Sequence, residues 1–269
     1  MKQMIKAAII ILLTLCTPVV VYAAKDQTDT YEYEVRNGKA VLTRYATESN
    51  ARKIEVPNEV DGYEVIGLEG TFKHSSRIEN VIIPEGIKFL GNGTFERDYN
   101  LTSIELPDGL LEIGVSCFEQ CNLELVEIDL PNSLKKIGSR AFYGCEKLEF
   151  IDLENTDLEI LGSHAFTNCK NLKAIVIPYG IEKIENNTFC NCYSLENIVF
   201  PESITEIDWN AFWGCGSLKN IQLPESLQIL GNSVFYGCHA MRELIIPENV
   251  EIIKISGWPL ISGRKLERI

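Results

Sequence analysis

The phrase "AFYGCEKLEFIDL" at residues 141–153 returns as "AFTNCKNLKAIVI" at 165–177, "AFWGCGSLKNIQL" at 211–223 and "VFYGCHAMRELII" at 234–246. Self-similarity at a fixed period constrains a fold more than any composition does, because it fixes one supersecondary unit and its spacing together. The phenylalanines of the motif are Phe72, Phe95, Phe118, Phe142, Phe166, Phe189, Phe212 and Phe235, with gaps of 23, 23, 24, 24, 23, 23 and 23 residues. Proline keeps the same register at Pro84, Pro107, Pro131, Pro178, Pro201, Pro224 and Pro247, and only Glu154 breaks it. Glycine recurs at Gly91, Gly114, Gly138, Gly162 and Gly231, with Glu185 and Asp208 in its place in two units. No catalytic chemistry needs a Phe, a Cys and three aliphatics at this spacing. A stack of like rungs does.

One unit can be read as physics. In "LEFIDL", Leu148, Ile151 and Leu153 point inward while Phe150 and Asp152 point outward, as a short strand requires. A "PNSL" or "PESI" turn follows, with proline presetting its φ. "LKKIG" or "ITEID" then supplies a second short extended piece. "SRAFYGC" is expected to form a compact helical or 3₁₀ corner that buries Phe and Cys. One rung cannot bury its own apolar edge, so the core closes only when rungs stack.

The pattern P-x-x-(I/L)-x-x-(I/L)-G-x-x-A-F-x-x-C-x-x-L-x-x-I-x-L resembles that of the BspA-like leucine-rich repeat family of secreted and surface bacterial proteins. The likeness covers residues 54–255. It implies an α/β solenoid of about eight rungs of 23–24 residues, and a role in adhesion at or outside the cell surface. The chain departs from the pattern locally: Ser75 or Ser76 and then Asp98 replace the Cys in the first two rungs, and "CNLELVEIDL" carries one extra residue.

The ends read differently. Lys2 and Lys6, the apolar run from Ala7 to about Val21, and Val21-Tyr22-Ala23 have the form of a secretory signal peptide with cleavage after Ala23. Residues 24–53 hold a hairpin cap, with Asn37-Gly38 at the turn and Tyr31, Tyr33, Val35, Ala40 and Leu42 on its covering face. The solenoid is expected over 54–258, and a tail or partial cap over 259–269. Trp258 and Leu260 either fold over the last rung or leave it open. Once Lys2 and Lys6 are removed, 23 basic residues face 38 acidic ones, which argues against nucleic acid and anionic membrane surfaces as partners. No later apolar stretch reaches membrane-spanning length, so no insertion is expected after signal removal.

Six cysteines occupy one column: Cys121, Cys145, Cys169, Cys192, Cys215 and Cys238. Buried apolar packing is the favoured reading. Disulfides between neighbouring rungs are within reach but awkward in geometry, and a straight ladder does not converge on a metal. Cys117 reads as core and Cys190 as the most exposed thiol. His74, His164 and His239 fall in different rungs and columns, so no catalytic residue, cofactor or metal site is assigned.

A solenoid binds through the solvent face of its repeated sheet. Outward positions there gather Glu105, Glu127, Asp129, Glu149 and Asp152 into an acidic patch, beside an apolar stripe of Phe150, Val176 and Val199. A protein ligand on a host or neighbouring cell fits such a face; valines that merely satisfy β-propensity are the plainer reading. Tyr143, Trp213 and Tyr236 line another edge, where stacked aromatics could hold a glycan or pack on the next rung. The expectation is a non-enzymatic, extracellular or cell-surface protein-binding solenoid. The alternative is a glycan-binding or structural component of the producer's envelope.

Overall fold

The computed structural model describes residues 20–24, 29–47, 51–75, 77–121, 126–219 and 221–254. Two ladders of short parallel strands run along the solenoid, one strand of each per rung. The first ladder contains Lys53–Glu55, Asn80–Ile82, Ser103–Glu105, Glu127–Ile128, Phe150–Ile151, Ala174–Val176 and Asn197–Val199, and ends in a Gln222–Ile245 bridge. The second contains Tyr63–Leu68, Phe89–Leu90, Glu112–Ile113, Lys136–Ile137, Ile160–Leu161, Lys183–Ile184, Glu206–Ile207, Ile229–Leu230 and Ile252–Ile253. The alternation in "LEFIDL" holds: Leu148, Ile151 and Leu153 are buried, and Phe150 and Asp152 are exposed.

The corners differ from expectation. Among the described residues there is no helix, α or 3₁₀; each corner is a chain of turns. The reason lies in the backbone. Every corner places two residues at positive φ, for example Arg140 (59°) with Gly144 (72°), and Asn187 (56°) with Asn191 (60°). A left-handed residue every fourth position ends any helix. The amide groups then divide in alternation. Ala141, Tyr143 and Cys145 donate N–H to Gly138, Arg140 and Phe142, three residues back, while Arg140, Phe142 and Gly144 donate to Ser163, Ala165 and Thr167 of the next rung at 2.8–3.0 Å. The corner thereby becomes a third intermolecular-like ladder inside one chain.

That close approach explains the recurring glycine. A Cβ on Gly162 would lie 2.4 Å from the Ser139 amide nitrogen, and one on Gly138 would lie 2.6 Å from the Gly114 carbonyl carbon. The second ladder breaks between Ile160–Leu161 and Lys183–Ile184. The break falls where the chain has an extra residue before Leu158 and Glu185 in the glycine slot.

The core is a set of columns. The eight motif phenylalanines stack with ring centroids 5.3–5.8 Å apart and planes within 13° of parallel. Tyr45 and Tyr31 continue the column into the cap, at 5.4 and 5.1 Å. The six column cysteines are buried, and each Sγ donates to a phenylalanine carbonyl on the preceding rung, from Cys121 on Phe95 (3.0 Å) to Cys238 on Phe212 (3.3 Å). All eight cysteines of the repeat region are free thiols, and Cys190 alone is not fully buried. Burial pushes the thiol of Cys145 up to about 12, which keeps its S–H proton in place.

At the N-terminal end, β1 (Val20–Ala24), β2 (Asp29–Arg36) and β3 (Lys39–Thr47) form an antiparallel cap, and β3 pairs in parallel with Tyr63–Leu68. Asn37 and Gly38 make the turn with φ of 51° and 76°. Tyr31, Tyr33, Ala40 and Leu42 are buried as expected, and Val41 joins them because the register shifts beside it. The expected cleavage point after Ala23 falls within β1. Residues 1–19, and 255–269 with Trp258 and Leu260, lie outside the described residues.

Candidate functional site

The outward face of the first ladder holds most of the sequence-assigned residues, though not as one patch. Glu127 lies opposite Phe150 in the paired register, and Ala174–Val176 lies opposite Asn197–Val199, setting Val176 beside Val199. Pairing lapses between Ser103–Glu105 and Glu127–Ile128, so Glu105 belongs to a separate group with Ile82, its register partner. Phe150 is 46% exposed, Val199 55% and Ile245 65%. Ile245, opposite Gln222, adds an exposed aliphatic two rungs beyond Val199, with the polar Gln222 between them. It was legible from the same alternation.

Two of the acidic residues have structural partners. Glu149 is ion-paired with Lys173, whose ammonium also lies 5.0 Å from the centroid of the Phe150 ring. Asp152 accepts the Glu154 amide at 2.8 Å and the Asn155 side-chain amide at 2.9 Å. It shapes the one turn that has Glu154 where other rungs have proline, as an Asx turn does. The acidic groups left to face solvent are Glu105, Glu127 and Asp129.

The second ladder carries cross-rung ion pairs too. Lys136 meets Glu112 at 2.8 Å, Lys135 meets Glu159 at 3.2 Å, and Lys183 meets Asp208 of the next rung at 3.2 Å and Glu185 of its own at 3.1 Å. The aromatic edge divides. Trp213 and Tyr236 stack at 4.3 Å and are half-buried, whereas Tyr143 stands three rungs away beneath the Arg140 guanidinium, 4.0 Å from its ring centroid. Arg140 in turn binds Glu119 through two hydrogen bonds of 2.5 and 2.9 Å, and Ser116 adds one at 2.6 Å. These bonds hold the Glu119 carboxyl below the usual carboxylate range, against the opposing effect of burial. Besides Phe150, the exposed aromatics outside the expected edge are, among the described residues, Tyr63, Tyr99, Tyr179, Tyr193 and Trp209. Among the described residues no three His, Cys, Asp or Glu side chains gather as a metal site.

A parallel stack of two short ladders, joined by turn-built corners and capped at one end, defines the leucine-rich repeat class of solenoid. The chain belongs to the BspA type leucine rich repeat family: that repeat region, in six copies, matches residues 64–192 and 159–257. A leucine rich repeat protein of T. pallidum has a similar structure, with a TM-score of 0.63 and 26% identity over 78% of this chain and 87% of that one. A leucine rich cell surface protein of Faecalibacterium prausnitzii A2-165 gives 0.59 and 24% over 84% of this chain and 54% of that one. No curated protein matches the chain.

Proposed function

We propose that the chain is an exported, non-enzymatic solenoid that binds a protein ligand at or outside the cell surface through the outward face of the first ladder. One observation carries the assignment of the face: Phe150, Val199 and Ile245 stand exposed on the first ladder, which also presents the carboxylates of Glu105, Glu127 and Asp129 to solvent. Family membership and the cell surface protein of similar structure support the location. Exposed apolar residues rimmed by charge suit a partner that is partly basic and partly apolar.

The test is a binding screen of the exported chain against matrix proteins and a glycan array. The reading expects saturable binding to a protein that Glu127→Lys with Asp129→Lys weakens at least tenfold, about 1.4 kcal/mol. Glycan-only binding that is insensitive to those changes and lost in Trp213→Ala would instead favour an envelope component using the aromatic edge.

A further inference from the structure

Each second-ladder strand is fastened to the rung before it by two backbone bonds. One is donated just ahead of the strand, from Lys88 on Ile66 (2.7 Å) to Glu251 on Gln228 (2.9 Å). The other is donated from the glycine slot, from Gly91 on Leu68 (2.5 Å) to Lys254 on Leu230 (2.9 Å). The junction between the Phe166 rung and the Phe189 rung breaks both series. Glu182 and Glu185 hold the two donor positions there, and among the described residues neither amide is bonded to the preceding rung. The first ladder lapses at the same junction. Phe150–Ile151 and Ala174–Val176 belong to separate sheets, joined by the Lys173 amide on Glu149 at 3.2 Å. At the other lapses among the described residues, the second ladder runs on unbroken.

The sequence marks the place. Four turn residues separate Leu153 from Leu158, where the rungs on either side have three. Glu185 fills the slot in which a Cβ on Gly162 would come within 2.4 Å of the preceding backbone. Asp208 fills the same slot, yet its amide still reaches Ile184 at 2.9 Å. A side chain there does not open a ladder alone; at this junction it meets the longer turn. Second-ladder side chains do not bridge the gap either. Glu159 pairs back with Lys135, and Lys183 pairs forward with Asp208. A cavity of about 420 Å³ lies in the gap, lined by residues 159–161, 180–183 and Glu185.

Contacts persist on the other side. The His164, Phe166 and Asn168 amides reach Asn186, Thr188 and Cys190 at 2.8–3.1 Å, and the Phe166 and Phe189 rings stack at 5.5 Å. Lys170 and Lys173 pair across the junction with Glu146 and Glu149. Beside the gap, the Gly180 backbone rests against the Leu158 carbonyl, where a Cβ would come within 2.3 Å. We propose that this junction is a hinge, with the corner and the first-ladder edge as its pivot and the second ladder as the side that opens. A few residues between packed bodies are enough to absorb such a motion. Glu105, Glu127 and Asp129 lie on one body, and Val176, Val199 and Ile245 on the other. Opening therefore re-aims the two parts of the first-ladder face, whatever that face binds.

Spin-label distances test this in a Cys190→Ser background, since the other thiols of the repeat region are buried. Leu111→Cys with Thr205→Cys places labels on the second-ladder side, and Ser103→Cys with Asn197→Cys places them on the first-ladder side. All four positions are exposed. Each pair spans the same rungs, about 19 Å at roughly 4.8 Å per rung. The second-ladder pair should give a distance distribution about twofold broader or more than the first-ladder pair. Hydrogen exchange on the unmodified chain supplies a second reading. The Glu182 and Glu185 amides should exchange about a hundredfold faster or more than those of Thr205 and Asp208. Two outcomes would overturn the proposal. Equal widths for the two pairs would make the junction rigid, and Glu182 and Glu185 amides as protected as those of Thr205 and Asp208 would make the ladder continuous.

Discussion

Asp98 occupies the column in which six other rungs carry cysteine, and it is fully buried with Oδ2 unpartnered. The cysteines donate a proton to the preceding rung; an ionised carboxylate has none to donate. Burial pushes the Asp98 carboxyl up to about 7, opposed only by the Asn100 amide on Oδ1. Its folded pKa therefore exceeds its unfolded one. The protonated form stabilises the fold, and that contribution is complete below about pH 4 and lost as pH rises toward 7. Asp98→Cys should raise stability at pH 8 by about 2 kcal/mol and remove this loss between pH 4 and 7. Denaturant melts across that range check it, and an unchanged profile would contradict it. Arg140 shows the opposite sign. Glu119 is held ionised by Arg140, a contribution present above the ordinary glutamate range and lost as pH falls. Arg140→Ala should cost about 1–2 kcal/mol at pH 7 and markedly less at pH 3; an equal cost at both would show that the ion pair is not the cause.

At the scale of the element, the strands were legible because inward positions repeat with the rung: Leu148, Ile151 and Leu153 recur as Leu172, Ile175 and Ile177. The corners were misread because A-F-x-x-C places apolar residues three apart, as a helical turn does. The contrary signal was present, since Asn168, Asn187, Asn191 and Asn210 sit at left-handed positions, which asparagine tolerates better than most residues. Ion-pair partners were not legible. Lys173 and Glu149 lie one rung apart in sequence and meet only once register is known. The phenylalanine column makes a direct prediction. Phe166 stacks on Phe142 and Phe189 at 5.3 and 5.5 Å, so Phe166→Ala should cost about 3–5 kcal/mol. Because each rung contacts only its neighbours, the loss should also split unfolding into two transitions. Calorimetry reads both effects, and a single transition with a loss under about 1 kcal/mol would contradict the stack as the source of coupling.

For the whole molecule, the stack makes two long faces, each interrupted where strand pairing lapses, and what distinguishes their stretches is which side chains the rungs leave facing solvent. The general position of the first-ladder face could be read from alternation alone. The retirement of Glu149 and Asp152 to structural roles could not, because each depends on a partner placed by the fold. Ile252 and Ile253, on the last described strand, are 46% and 41% exposed. The central claim is that the first-ladder face carrying the exposed Val199 and Ile245 is the binding surface. The direct measurement is the affinity of the protein ligand for Val199→Glu with Ile245→Glu, set beside Ile160→Glu on the second ladder, all at matched thermal stability. The account predicts that the first-ladder pair abolishes binding, with a loss of at least a hundredfold, about 2.7 kcal/mol, while Ile160→Glu leaves it within twofold. Undiminished binding by the Val199→Glu, Ile245→Glu protein would contradict it.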